Sequence, residues 1–149
     1  SGISWDLLPF VFSLFLVMRG VGNSGLSDVA QNILAQTGAA GSFAQLLIIA
    51  ATAALGSNLI NNLPMLLIAA DSLTAPVTSG QLGMDALYAA LIGTNLGPNL
   101  TVIGSLATML SLSIVGKKGL RIPGLLYLKI GLVTVPILLL GSVVALWLV

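Results

Sequence analysis

Two polar interruptions in an otherwise apolar chain limit what it can fold into. The first is Ser57-Asn58-Leu59-Ile60-Asn61-Asn62-Leu63-Pro64, and the second is Gly93-Thr94-Asn95-Leu96-Gly97-Pro98-Asn99-Leu100-Thr101. Each gathers side-chain amides or hydroxyls beside a proline, and each lies between stretches apolar enough to live in lipid. Irregular backbone at membrane depth persists only where it is buried in protein or lines a watery cavity. Paired interruptions of this kind point to the solute site of a transporter. The two stretches therefore read as two walls of one site.

Composition makes the membrane assignment independently. The 149 residues are 57% hydrophobic and 6% charged, with a mean hydropathy of +1.11. A soluble domain carries roughly 25% charged residues, so this is an integral membrane protein. Its net charge of +1 and the lack of a long basic run give no sign of nucleic acid. The chain has no Cys and no His, which removes disulfides, thiolate metal sites and imidazole chemistry. Its acids are Asp6, Asp28, Asp71 and Asp85 alone. Acid–base catalysis usually needs positioned imidazoles or carboxylates, so the expectation is no enzyme, no cofactor and no metal, but a protein that binds and moves a solute. The chain opens Ser1-Gly2-Ile3 with no visible signal peptide. It is short for a transporter built from repeats, so it is expected to be part of a larger one.

Taken in order, the chain predicts an all-α membrane fold. Residues 1–22 form a mostly apolar run able to cross a bilayer, with Trp5 and Arg19 near its two ends. Residues 23–40 differ: Ser24 or Ser27 caps a helix whose Leu26, Val29, Ala30, Ile33 and Leu34 oppose Asp28, Gln31, Asn32 and Gln36. That pattern predicts an amphipathic arm in the interface. Residues 41–75 hold two short apolar stretches, about 14 residues from Ser42 and a shorter one from Met65, which favour a re-entrant hairpin over a single span. Asp71 to Gly83, with Pro76, reads as a surface turn. Residues 82–115 then form one discontinuous transmembrane helix, stopped at Gly97-Pro98 and resumed with Thr101 as cap. Residues 122–149 form a last transmembrane helix in which Lys129 snorkels or faces the interior. Lys117, Lys118 and Arg121 put the loop 116–121 in the cytoplasm and the C-terminus outside.

The predicted solute-binding residues are Asn58, Asn61, Asn62, Thr94, Asn95, Asn99, Thr101 and Ser105. Each Asn offers a donor and an acceptor, and each Ser or Thr a hydroxyl. Pro64, Gly93, Gly97, Pro98 and Gly104 break the helices or allow close backbone approach. No charged residue lies inside either interruption. The set suits a small neutral polyhydroxylated solute, or a hydrated anion with a small cation, and about half of the amides are expected only to satisfy the broken backbone.

Asn61-Asn62-Leu63-Pro64, followed by Asn95-Leu96-Gly97-Pro98-Asn99-Leu100-Thr101-Val102-Ile103-Gly104-Ser105-Leu106-Ala107-Thr108, resembles the C-terminal repeat of the bacterial arsenite efflux permeases of the ion transporter superfamily. The likeness runs through nearly the whole chain but covers about a third of such a permease, which has two inverted repeats. It implies a scaffold joined to a transport domain with a re-entrant hairpin and a broken helix from each repeat. It also implies proton-coupled export of arsenite or antimonite as a neutral trihydroxide across the inner membrane, by elevator-type motion. The implied partners are the solute, protons, the lipid bilayer, the N-terminal repeat and an arsenite-stimulated ATPase. One departure stands out. Related permeases often carry an Asp and a Lys at the positions of Asn95 and Asn99, so the coupling carboxylate is expected in the other repeat. The rivals are a sodium-coupled carboxylate or sodium/proton transporter of the same superfamily, and a non-transporting membrane subunit or structural helical bundle.

Overall fold

The computed structural model describes residues 41–119 and 122–149, together with Pro9, Phe12, Ser13, Leu16, Arg19 and Gly20, all six of which are helical. The rest of the expected first span and the amphipathic arm at 23–40 lie outside the described residues. Among the described residues the structure is helical without strands: α1 (Phe43–Ile60), α2 (Asn62–Thr78), α3 (Asp85–Leu96), a 3-10 turn (Gly97–Leu100), α4 (Leu106–Lys117) and α5 (Gly124–Trp147).

Local sequence explains the boundaries. Ser42 is extended and its hydroxyl accepts from the Gln45 N–H at 3.3 Å, capping α1. The helix then runs 18 residues to Ile60, longer than the expected stretch of about 14, and within it the side chains of Ser57 and Asn58 are satisfied by bonding back to the carbonyls of Ala53 and Ala54. By length and composition α1 and the 24-residue α5 are both able to cross a membrane. Asn61 alone separates α1 from α2. Pro64 sits in the first turn of α2, where its missing N–H has no intrahelical partner to lose.

The turn expected over Asp71 to Gly83 is shorter than the sequence suggests. The α2 helix continues through Pro76 to Thr78. Pro76 lies so near the helix end that it removes one bond, the one Ser72 O would have accepted, and the last turn closes through Ser79 N to Ala75 O at 3.0 Å. A second correction concerns α4. Its cap is Ser105, whose hydroxyl accepts from Ala107 N at 3.2 Å, whereas Thr101 faces away toward α1.

The helices pack in a definite order. Gly41 lies against Asp85 at the starts of α1 and α3, Ala50 against Gly93 midway, and Ala54 against Gly97 at the far end. These pairs keep nearly constant register, so α1 and α3 run parallel. The return helix α2 lies on both, with Met65 pressed onto Gly56 and Ala69 and Leu73 sharing a core with Leu46, Ile49, Ala86 and Ala89. The α5 helix is antiparallel to α1 and α3. Its Trp147 meets Phe43 edge-to-face at 6.0 Å between ring centres, and its Gly131 lies against Asn99 and Leu100. One stripe of α5, Gly131, Val135, Leu139 and Val143, is buried, while Leu125, Ile130, Leu132, Val133, Ile137 and Leu138 are exposed. Lys129 is exposed as well and faces away from the described core.

Candidate functional site

Close packing builds the site. Ala50, Ala53 and Ala54 of α1 face Gly93 and Gly97 of α3, small residues that let two helix backbones approach within van der Waals contact. A Cβ on Gly93 would meet the Ala53 Cβ at 2.8 Å and collide with Ala50 O, and one on Gly97 would meet the Ala54 carbonyl carbon at 2.7 Å. The 3-10 turn that follows is gripped from the other side, where a Cβ on Gly131 would stand 2.6 Å from Asn99 O. Ala50, Ala53, Ala54 and Gly131 were not among the sequence-predicted site residues. The four-residue spacing of Ala50–Ala54 and Gly93–Gly97 is a readable small-residue motif, whereas nothing in the sequence marks Gly131.

Asn58 joins the two interruptions. Its Nδ2 donates to Ala54 O at 2.8 Å and to Gly97 O at 2.8 Å, and its Oδ1 accepts the Thr101 hydroxyl at 2.7 Å. The Gly97 carbonyl is one of those left over where α3 stops. Thr101 then turns extended, at φ −128° and ψ 155°, and leads the chain away from the helix axis. Gly104 packs beside this junction, where a Cβ would lie 2.7 Å from Pro98 Cα and 2.8 Å from Asn58 Oδ1.

The other amides divide by direction. Asn95 Nδ2 donates to Leu91 O at 2.8 Å, and Asn99 Nδ2 to Leu96 O at 3.1 Å and Asn95 O at 3.3 Å. A backbone carbonyl only accepts, so the group facing it is the NH₂ of each amide. The Oδ1 atoms of Asn95 and Asn99 make no hydrogen bond among the described residues, and both residues are exposed. They lie four apart at the end of α3, on one face. Thr94 points elsewhere: it is 2% exposed and its hydroxyl donates to Leu91 O at 3.1 Å. Ser105 is occupied in capping α4.

Asn61 and Asn62 are half-buried, and their side chains make no hydrogen bond among the described residues. Asn61 holds φ 77° and ψ 157°, a left-handed conformation that only glycine adopts freely. No charged side chain joins the hydrogen bonds of either interruption among the described residues. Asp85 lies at the opposite end of α3, where its Oδ1 accepts from Ala86 N at 3.1 Å and the helix N-terminus favours a negative group. No group of three or more metal-ligating acids, His or Cys exists among the described residues.

Residues 2–149 match the family model described as "Arsenical pump membrane protein". The chain belongs to that family. Relatives described as arsenical pump membrane proteins include one from Escherichia coli, 36% identical over 138 residues, and one from Escherichia coli strain K12, 33% identical over 138 residues. A third, from Yersinia enterocolitica, is also 33% identical over 138 residues. Each alignment covers 92% of this chain and 32% of the relative, so the chain spans about a third of the length of the curated relatives it matches. No solved structure matches it. Family membership and the apolar helices α1 and α5 agree on an integral membrane protein.

Proposed function

We propose that the chain supplies one half of the solute site of a secondary transporter that exports arsenite or antimonite, as the neutral trihydroxide, across the inner membrane. The observation that carries this reading is the orientation of Asn95 and Asn99. Asn99 commits both amide hydrogens to the backbone and Asn95 one of its two, which leaves two acceptor oxygens and one N–H outward, with no charged group beside them among the described residues. Two acceptors suit a solute that donates O–H groups, and they repel an oxyanion. Asn61 and Asn62 add uncommitted donors and acceptors from the other interruption. Thr94, Thr101, Ser105 and Asn58 form the wall behind them.

In this reading α1 and α2 are the two arms of a re-entrant hairpin, and α3, the 3-10 turn and α4 are one discontinuous transmembrane helix. The depth of the break supports it. Gly131, which touches the break, lies ~10 Å along α5 from Gly124 and ~24 Å from Trp147 at 1.5 Å per residue. The site then sits inside the membrane, nearer the end of α5 that carries the basic loop 116–121 in the cytoplasm. Proton antiport, elevator-type motion, the coupling carboxylate in the N-terminal repeat and cooperation with an arsenite-stimulated ATPase complete the proposal.

The test is arsenite resistance of cells carrying the full-length protein with Asn62→Leu or Asn95→Leu. Resistance should be lost while the protein still inserts at normal levels. Retained resistance at normal expression removes these residues from the site, and sodium-dependent uptake of citrate or succinate would favour a carboxylate symporter instead.

A further inference from the structure

The amide of Asn58 has no donor left for a solute. Both Nδ2 hydrogens are committed, one to Ala54 O and one to Gly97 O, each at 2.8 Å, and Oδ1 takes the Thr101 hydroxyl at 2.7 Å. Gly104 closes in beside that oxygen, so close that a Cβ there would stand 2.8 Å from it. The Asn58–Thr101 bond is also the last rung of a longer register. Gly41 and Asp85, Ala50 and Gly93, and Ala54 and Gly97 precede it, pairing α1 with α3 from one end to the other.

We propose that Asn58 and Thr101 are positioning residues, not solute ligands. They fasten the end of α1 to the helix break, so that both interruptions travel as one wall and the solute never passes between them. A bonded pair with no unused donor resists opening for a solute, because each separated group would lose its partner inside a largely apolar environment. The consequence for the cycle is that solute enters and leaves at the face bearing Asn95 and Asn99.

This rests on the transport reading above, and hydroxyl substitutions in the full-length protein separate the two. Thr101→Val removes the donor to Asn58, and arsenite accumulation in everted vesicles should fall about tenfold, as expected for a lost buried hydrogen bond. Thr101→Ser keeps the donor and should retain transport. A valine variant equal to wild type overturns the clasp. Melting in detergent without solute distinguishes a clasp from a ligand: Thr101→Val should lower the midpoint and Thr101→Ser should not. A valine variant that loses transport at an unchanged midpoint would make the hydroxyl a ligand and overturn the proposal. If the valine variant fails to accumulate, Thr101→Ala takes its place in both measurements. Should the unaltered protein export no arsenite, the transport reading fails by itself, and the clasp is then read from the melting comparison alone.

Discussion

Gly97 and Ala54 lie backbone against backbone, with room for no side-chain atom between them: a Cβ on Gly97 would stand 2.7 Å from the Ala54 carbonyl carbon. Main-chain atoms cannot yield as a flexible side chain does. Gly97→Ala must therefore push α3 from α1 and strain the Asn58 bond to the Gly97 carbonyl. Overpacking of this kind costs about 1–3 kcal/mol, read as a lowered melting midpoint in detergent. Among the described residues, nothing lies within 4 Å of where a Cβ on Gly141 of α5 would be. Gly141→Ala should be neutral or stabilise by up to ~1 kcal/mol, since alanine is the better helix former.

Asn61 offers a prediction of opposite sign. Its φ of 77° with ψ of 157° is open to glycine and costs other residues about 1–3 kcal/mol. Asn61→Gly should raise the melting midpoint by relieving that cost. If the amide contacts the solute, the same change should weaken arsenite efflux. A variant that is both more stable and fully active would assign Asn61 to the turn alone.

Ser72 supplies a third. It is 1% exposed, and its Oγ is the only buried side-chain polar atom without a partner among the described residues. The helical hydroxyls of Ser57, Thr74, Thr78 and Thr134, by contrast, bond back to carbonyls of their own helix. An unsatisfied buried hydroxyl costs about 1–3 kcal/mol, so Ser72→Ala should stabilise by part of that amount, with arsenite efflux unchanged. Thermal unfolding of the pair in detergent measures it.

How far the sequence could be read follows from where its signals are local. The chemistry of the break was legible: Gly97-Pro98 and the surrounding amides are unusual enough in an apolar chain to announce themselves. Proline, a strong local signal, misled where its position mattered more than its presence. Pro76 lies close enough to a helix end to be absorbed, and Pro64 starts a helix instead of breaking one. What Asn58 and Thr101 do depends on a bond across 43 positions, and the grip of Gly131 on the break is equally long-range. Periodicity and propensity carry no such distances. Pairing α1 with α3 required the fold, although the alternation of small residues on both helices was there to be matched.

The outward oxygens of Asn95 and Asn99 belong to neutral amides. Neither amide titrates, so the solute affinity of this half should be flat with pH wherever the solute itself stays neutral. Asn95→Asp changes that in a defined direction. An ionised carboxylate is acceptor-only, so it cannot donate to Leu91 O as Asn95 Nδ2 does at 2.8 Å. Two acceptors would face each other, and a negative charge would stand at a site built for a neutral molecule. Once protonated, the same group carries one O–H to give to Leu91 O and one oxygen to present outward, which is the native arrangement less the second amide hydrogen. Arsenite efflux by Asn95→Asp should therefore be low at neutral pH and recover as pH falls and the carboxyl takes up its proton, while the unaltered protein shows no such recovery over the same range. Vesicles prepared at a series of pH values, each with the gradient held constant, make the comparison. Asn95→Asp activity that is high at neutral pH and insensitive to acid would show that the donor to Leu91 O does not set the direction of this amide.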